Sequence, residues 1–386
     1  MPTPEEHALL SASSSSRWLH CTRAPRLEEA LPEAQSEYAV EGRVAHAVAE
    51  LLARKKFTVM TQRKFNADRK KLEAEEGYTA EMNRYAQIYV DALTEEALRY
   101  EGCPLVLLEQ RVDFSACVPE GFGTADCIMI GGDCLTVCDY KYGQGVPVDA
   151  VGNTQMRLYA LGALALPLMM FYGSDIRRVR MCIIQPRINN DSAWEITRDE
   201  LEAWAEEIKP TARKAFDGEG DFTPGDWCRF CRAKGACRAR SYDYLALEAF
   251  GKPAADTISL EELGDILKRG KGLAAWLKDL EDYALQATLA GETVPGWKAV
   301  EGRSLRAWSD QDKALQALED SGLPREIIYD TVPKSLSQLE KLLGKADFAE
   351  RVGAYVTKPA GKPTLVEESD KRPPFNPALA AFGGGA

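Results

Sequence analysis

The spacing of apolar positions changes period several times along the chain, and these changes mark out its elements. Residues 41–53, EGRVAHAVAELLA, place Val44, Val48, Leu51 and Leu52 at helical spacing. Residues 81–100 do the same through Met82, Tyr85, Ile88, Tyr89, Ala92 and Leu93, which predicts a core helix. From Leu105 to Phe114 the period falls to two, with Val106, Leu108, Gln110 and Val112 on one face, so a strand is expected. Two short β-prone runs, Cys127–Ile130 and Leu135–Cys138, flank Gly131-Gly132-Asp133 and predict a hairpin. Asn153 is placed to cap a helix running to Leu166, and Arg178–Gln185 reads as a strand that Pro186 ends. An amphipathic helix over 197–216 follows, with Leu201, Trp204, Ile208 and Phe216. Helix, three strands, helix, strand is the order of an α/β fold, a central mixed sheet flanked by helices.

Around that core the pattern is less regular. The serine-rich lead-in SASSSS predicts a short helix capped by one of Ser13 to Ser16, burying Trp18 and Leu19 and presenting Cys21 near its end. Residues 54–80 are charged and poor in apolar side chains, which suits a mobile excursion or a helical insertion. Residues 258–289 read as two helices broken at Arg269-Gly270-Lys271-Gly272. Residues 294–308 read as a short hairpin in which Trp297, Lys298, Arg303, Arg306 and Trp308 either track a single strand of nucleic acid or are core tryptophans with solvated charges. Ser309 is placed to cap a helix to Ser321-Gly322, and the Pro- and Gly-rich run from Lys358 to Ala386 reads as an extended or disordered tail. Three parts are expected: 1–248, a smaller α+β domain over 249–365, and a tail over 366–386.

Composition adds limits. The chain has 386 residues and a net charge of −11, which argues against coating nucleic acid by bulk electrostatics. Basic clusters at Arg69-Lys70-Lys71, Arg177-Arg178-Val179-Arg180 and along 229–240 are each either solvated faces or phosphate contacts. No apolar run approaches the ~20 residues of a membrane span, and the acidic, serine-rich start lacks the features of a secretory signal. Ten irregularly spaced cysteines then suggest thiols kept reduced in the cytoplasm or used as metal ligands.

The hairpin carries the most specific chemistry. Asp139 and Lys141 point the same way on a strand, and the hairpin can bring Asp126 alongside, so two carboxylates and an ammonium share a pocket. That trio suits phosphodiester hydrolysis assisted by Mg²⁺ or Mn²⁺; a solvated Asp/Lys pair is the ordinary alternative. Gln155 and Tyr159, four apart on the next helix, share a face directed back at the pocket. His46 is either a hydrogen-bonded core histidine or a metal ligand, and a mixed carboxylate and imidazole site suits Mn²⁺ as well as Mg²⁺. Glu109 and Gln110 are further candidates to line the site. Separately, Cys228, Cys231 and Cys237 form a C-x2-C-x5-C triplet in a polar, basic loop. A zinc or iron–sulfur site needs a fourth ligand, for which Cys21 is the candidate.

The ordered set Cys21, Gly42-x3-His46, Gly123-Thr124-Ala125-Asp126, Asp139-Tyr140-Lys141, Gln155-x3-Tyr159 and the cysteine triplet resembles the RecB-like PD-(D/E)xK nucleases. It is most similar to their iron–sulfur branch, with the CRISPR-associated RecB-like exonucleases and the AddB nuclease domain, and within that to phage-encoded members. The resemblance covers roughly residues 10–245. It implies a restriction-endonuclease-like core in which His46, Asp126 and Asp139 bind the metal, with the Tyr140 carbonyl as a further ligand. It also implies that Lys141 is the catalytic lysine, that Gln155 and Tyr159 orient the site or DNA, and that Cys21, Cys228, Cys231 and Cys237 hold a [4Fe-4S] cluster. The expected activity is that of a DNA exonuclease in phage or bacterial recombination or repair, in the host cytoplasm. A recombinase or single-strand annealing protein, or further copies of the chain, are the expected partners besides DNA. A catalytically silent DNA-binding or assembly protein with a structural zinc or iron–sulfur site is the competing expectation. No phosphate-binding loop of the Walker type is present, so the chain is not expected to be a helicase.

Overall fold

A computed structural model describes residues 8–31, 37–172, 175–246, 259–270, 272–300, 344–352 and 355–356, together with residue 320. The core is a five-stranded mixed sheet in the order β1-β2-β3-β4-β5: Leu105–Asp113, Phe122–Gly131, Cys134–Tyr140, Arg178–Gln185 and Asn190–Thr197. All neighbours are antiparallel except β3 and β4, which run parallel. A parallel pair needs a crossover, and the helix Thr154–Leu164 supplies it.

Helices cover both faces. On one lie the helices Glu37–Phe57 and Glu81–Ala97, whose Val44, Val48, Met82, Tyr89 and Leu93 pack with Leu108, Cys127, Met129, Cys138 and Cys182 of the sheet. On the other, the crossover helix, the helix Arg198–Asp217 and the N-terminal Leu10, Ala12 and Trp18 meet Ile128, Ile130, Leu135, Val137, Val179 and Met181. In chain order the helices are α1 Ser15–Trp18, α2 Ala24–Glu29, α3 Glu37–Phe57, α4 Gln62–Leu72, α5 Glu81–Ala97, α6 Thr154–Leu164, α7 Met169–Tyr172, α8 Arg198–Asp217, α9 Arg238–Leu245, α10 Leu260–Gly270, α11 Leu273–Leu289 and α12 Lys345–Val352. No helix among the described residues is long and apolar enough to cross a membrane.

Local signals explain the boundaries. Asn153 caps α6 by accepting from the Met156 amide at 3.2 Å, and Thr197 and Glu200 form a reciprocal capping box on α8. The segment 54–80 resolves as an insertion containing α4, which has no buried residue. Strand β5 has no counterpart among the sequence expectations. Its residues NDSAWEIT alternate half-buried with exposed along an edge strand, and its polar inner positions hide the period that a core strand displays. The basic run at 177–180 is largely structural: Arg178 pairs with Asp133 and Glu195, and Arg180 with Glu96.

By compactness the chain divides into 1–300 and 301–386. The expected boundary at 248/249 therefore falls inside the first unit, where Asp279 of α11 accepts from Lys234 at 2.7 Å and from Arg240 at 2.6 Å. The two helices expected over 258–289 are α10 and α11. Of the hairpin expected over 294–308, residues 294–300 form a turn and irregular backbone, and the rest lies outside the described residues. So do the helix expected from Ser309 and the tail. In the second unit, α12 buries Phe348.

Arg187, just after β4, joins α3 and α5 to the loop beyond β3. It donates to Glu41 and Glu81, each at 3.1 Å, and its guanidinium lies 4.5 Å from the centre of the Tyr142 ring. Arg187→Ala should lower unfolding free energy by about 2 kcal/mol, as expected for hydrogen bonds between charged groups that are only partly exposed. The urea midpoint reads this directly, and an unchanged midpoint would mean that the clamp contributes nothing net.

Candidate metal centre

The site forms where the sheet loses its regularity. The β1–β2 register is the same on both sides of Glu109, with Leu108 opposite Cys127 and Gln110 opposite Ala125, so Glu109 stands opposite Asp126, and that rung alone is unpaired. Glu109 has a φ of 49°, in the left-handed region that a residue with a Cβ rarely adopts. The faces swap there in both strands. Leu105 and Leu107 pack with the α6 layer before the break and Val112 after it, and in β2 Ile128 and Ile130 share that layer with Ala125. An odd-to-even shift at one rung turns both acidic side chains toward α3.

His46 of α3 meets them. Its Nδ1 is 3.6 Å from Asp126 Oδ2, and His46, Glu109 and Asp126 each offer a ligand atom within 4.8 Å of the others. Asp126 is further fixed by the Tyr140 amide, which donates to its Oδ2 at 2.7 Å. The β2–β3 pairing ends at Cys127 and Cys138, so a side-chain oxygen takes up the amide where the ladder stops. The Tyr140 ring turns away, edge-on to His46 at 5.3 Å and against Tyr89 at 4.9 Å. It is through this amide that Tyr140 meets the site.

Asp139 lies outside the 4.8 Å group, in an adjoining network. Lys141 Nζ lies 3.0 Å from Asp139 Oδ2 and donates to Gln155 Oε1 at 3.0 Å. Gln155 Nε2 donates to Asp139 Oδ1 at 2.9 Å and to the Tyr159 hydroxyl at 3.3 Å. One amide thus spans both members of the ion pair. Asp139 is 2% exposed, and its Oδ2 faces Lys141 off the hydrogen-bonding direction, leaving that oxygen without a donor. Gly123 allows this packing, since a Cβ there would come 2.9 Å from the Tyr159 ring.

Electrostatics follow from burial and proximity. Burial disfavours the Lys141 ammonium, but Asp139 and Asp126 outweigh it and raise its pKa. Burial raises Asp139, with the charge of Asp126 adding to it against the pull of Lys141. Burial also opposes ionisation of Asp126, yet His46 and the Tyr140 amide hold it below the ordinary carboxylate range. For His46 burial works against the proton and Asp126 prevails, raising its pKa. Glu109 is pushed up to about 7, first by desolvation and then by Asp126 and Glu50. Its place in the 4.8 Å group is the main difference from the sequence expectation, where Glu109 was a lining candidate and Asp139 the third metal-binding residue. Opposite-rung geometry could have flagged it, but the backbone break that aims it has no sequence marker.

The four expected cysteines also come together. Cys21, Cys228, Cys231 and Cys237 line one pocket with Arg17, Lys234 and Arg240. The Thr223 amide donates to Cys21 Sγ and the Gly225 amide to Cys228 Sγ, both at 3.4 Å. Buried Glu28 of α2 joins the two chain segments, accepting from Arg17 Nε at 2.9 Å and from the Arg232 amide at 2.7 Å. Burial raises the Cys21 and Cys228 thiols and pushes Cys231 up to about 12. No three of these sulfurs lie within 4.8 Å of one another.

A family model described as "Protein of unknown function (DUF2800)" matches residues 7–373. The chain belongs to this family. Among solved structures, this DUF2800 member is similar to a chain described as "Crystal structure of SSO0001", with 10% identity over 58% of this chain and 96% of that one and a TM-score of 0.23. That likeness is too loose to bear on chemistry.

Coordination requires Glu109 and His46 to give up their protons, so Mn²⁺ affinity should climb steeply as pH rises through about 7, with protons released on binding. Calorimetry in buffers of different ionisation enthalpy measures that release. Glu109→Gln should weaken binding at least tenfold and flatten the dependence. An affinity independent of pH between about 6 and 8 would remove these two residues from the ligand set.

Proposed function

We propose that this chain is a Mg²⁺- or Mn²⁺-dependent deoxyribonuclease, an exonuclease serving phage or bacterial DNA recombination or repair, built on a restriction-endonuclease-like core. The observation that supports it most is the junction of a His-Glu-Asp group with a buried Asp-Lys-Gln network contributed by separate elements, since an isolated surface pair would need none of it. Two carboxylates and an imidazole suit Mg²⁺ or Mn²⁺, and a cation so bound would polarise a phosphoryl oxygen and acidify a water.

The chain's own groups divide the remaining work. Lys141, with its raised pKa, stays an ammonium at neutral pH and acts by donating: it orients a water or meets negative charge developing on the phosphate, and is no base. Gln155 fixes that ammonium against Asp139. Asp139 holds the ammonium in place, its Oδ2 3.0 Å from Lys141 Nζ. Tyr159 holds the Gln155 amide from behind.

We further propose that the four cysteines hold a [4Fe-4S] cluster that staples the N-terminal helices to the loop after α8. The convergence of all four on one pocket supports a shared centre, and metal content separates an iron–sulfur cluster from a single zinc. Arg17, Lys234 and Arg240 line the same pocket, held there by Glu28 and Asp279.

Linear DNA with Mn²⁺ should be degraded by the wild-type protein, and Lys141→Ala should slow this about 10²–10³-fold, the range for losing one group that stabilises transition-state charge. Equal inertness of wild type and variant would leave the DNA-binding or assembly role instead. Protein purified without oxygen should be brown and carry about four irons per chain, and Cys228→Ser should bleach it and lower its melting temperature. Colourless protein with one zinc per chain would overturn the cluster.

A further inference from the structure

The segment joining α3 to α5 stands apart electrostatically. Residues 54–71 contain eight Lys or Arg and one acid, Asp68, a local charge of +7 in a chain of net −11. The acids beyond it, Glu73, Glu75 and Glu76, sit past the end of α4, and of these Glu73 pairs with Arg69 at 3.2 Å. Arg54 is taken by Glu50 and Lys71 by Asp68. Lys56, Arg63, Lys64 and Lys70 are exposed and have no ion pair among the described residues.

Their placement is ordered by the helix. Leu72 packs toward the core and Phe65 is half-buried, beneath the Lys55 ammonium, so one stripe of α4 faces inward. Arg63 with Lys70, and Lys64 with Lys71, are seven residues apart, which puts each pair on one stripe about 10.5 Å apart along the axis. The segment also leads directly from the metal centre. His46, Glu50 and Arg54 follow one another at four-residue spacing on α3, so the basic run begins about 12 Å along the axis from the imidazole. A face serving only solubility would gain nothing from concentrating the minority charge of an acidic protein.

We propose that the end of α3 and α4 form an arm that binds the phosphate backbone of double-stranded DNA beside the candidate metal centre. The choice of DNA rests on the nuclease function proposed above. The choice of duplex rests on the arm itself: it exposes cations and no large aromatic side chain, whereas single-strand sites rely on aromatic rings for base stacking. The arm therefore contributes affinity without sequence preference, by release of counterions from phosphates.

The test is the salt dependence of binding. A fluorescein-labelled 30-bp duplex is titrated in EDTA at several salt concentrations by fluorescence anisotropy. Each phosphate contact contributes about 0.9 to the slope of log affinity against log salt, so the variant K56Q/R63Q/K64Q/K70Q should lose about 3 to 4 units of slope and bind at least tenfold more weakly near physiological salt. Its circular dichroism and melting temperature should match the wild type, because all four side chains project into water. A charge control on α8, K209Q/R213Q/K214Q, should change the slope by less than one unit. An unchanged slope in the arm variant, an equal loss in the control, or no duplex binding by wild type at low salt each overturns the arm. Hydrolysis of bis(p-nitrophenyl) phosphate by the wild-type protein with Mn²⁺ reads the metal centre without the arm. Its failure would sink the nuclease proposal alone, and a lost slope beside intact hydrolysis would establish both.

Discussion

The Asp126 carboxylate is the constraint on which the rest of the site depends. It takes the Tyr140 amide where the β2–β3 ladder runs out, and it faces His46 from the neighbouring helix. The first contact fixes the diverging strands, and the second fixes α3 over them. A backbone amide alone would be satisfied by any acceptor. Only a carboxylate also attracts an imidazole strongly enough to offset the burial that would otherwise discharge it. Sheet termination and site electrostatics thus rest on the same oxygen, Oδ2, and losing the carboxylate would leave an unpaired amide and a misplaced helix together.

Much of this was legible in the sequence, for identifiable reasons. Asp139 and Lys141 had to share a face because a strand has period two, and Gln155 and Tyr159 because a helix has period 3.6. The Cys21 partnership was a matter of ligand count, since three clustered thiols leave one position open. What escaped was non-periodic. Glu109 sits on the wrong face for its strand's alternation and reaches the site only through a backbone break. Strand β5 keeps its apolar positions half-exposed. The expected limit near 248 marked where the resemblance ends, whereas Asp279 binds across that point to Lys234 and Arg240 by charge, a pairing between distant positions that no local window detects.

The two centres are mechanically joined. Ser15, at the start of α1 and buried, shares a 2.6 Å hydrogen bond with Thr154, the first residue of α6 and the neighbour of Gln155. Cys21 is six residues beyond Ser15. Whatever anchors the cysteine pocket therefore also anchors the end of the helix that aligns the Asp139–Lys141 pair, through this hydroxyl pair and through the packing of Leu10, Ala12 and Trp18 with Met156, Leu158 and Ala160 of α6.

The left-handed backbone of Glu109 has an implication for how such a chain can vary. Holding a Cβ-bearing residue there costs about 1 kcal/mol, and glycine would rest in the same conformation without that cost. Selection for folding alone would drift this position toward glycine and remove one of the three groups that converge at the candidate site. On the metal-binding role proposed above, a glutamate kept against that drift would answer to the cation, and a glycine at the same rung would mark a chain released from it.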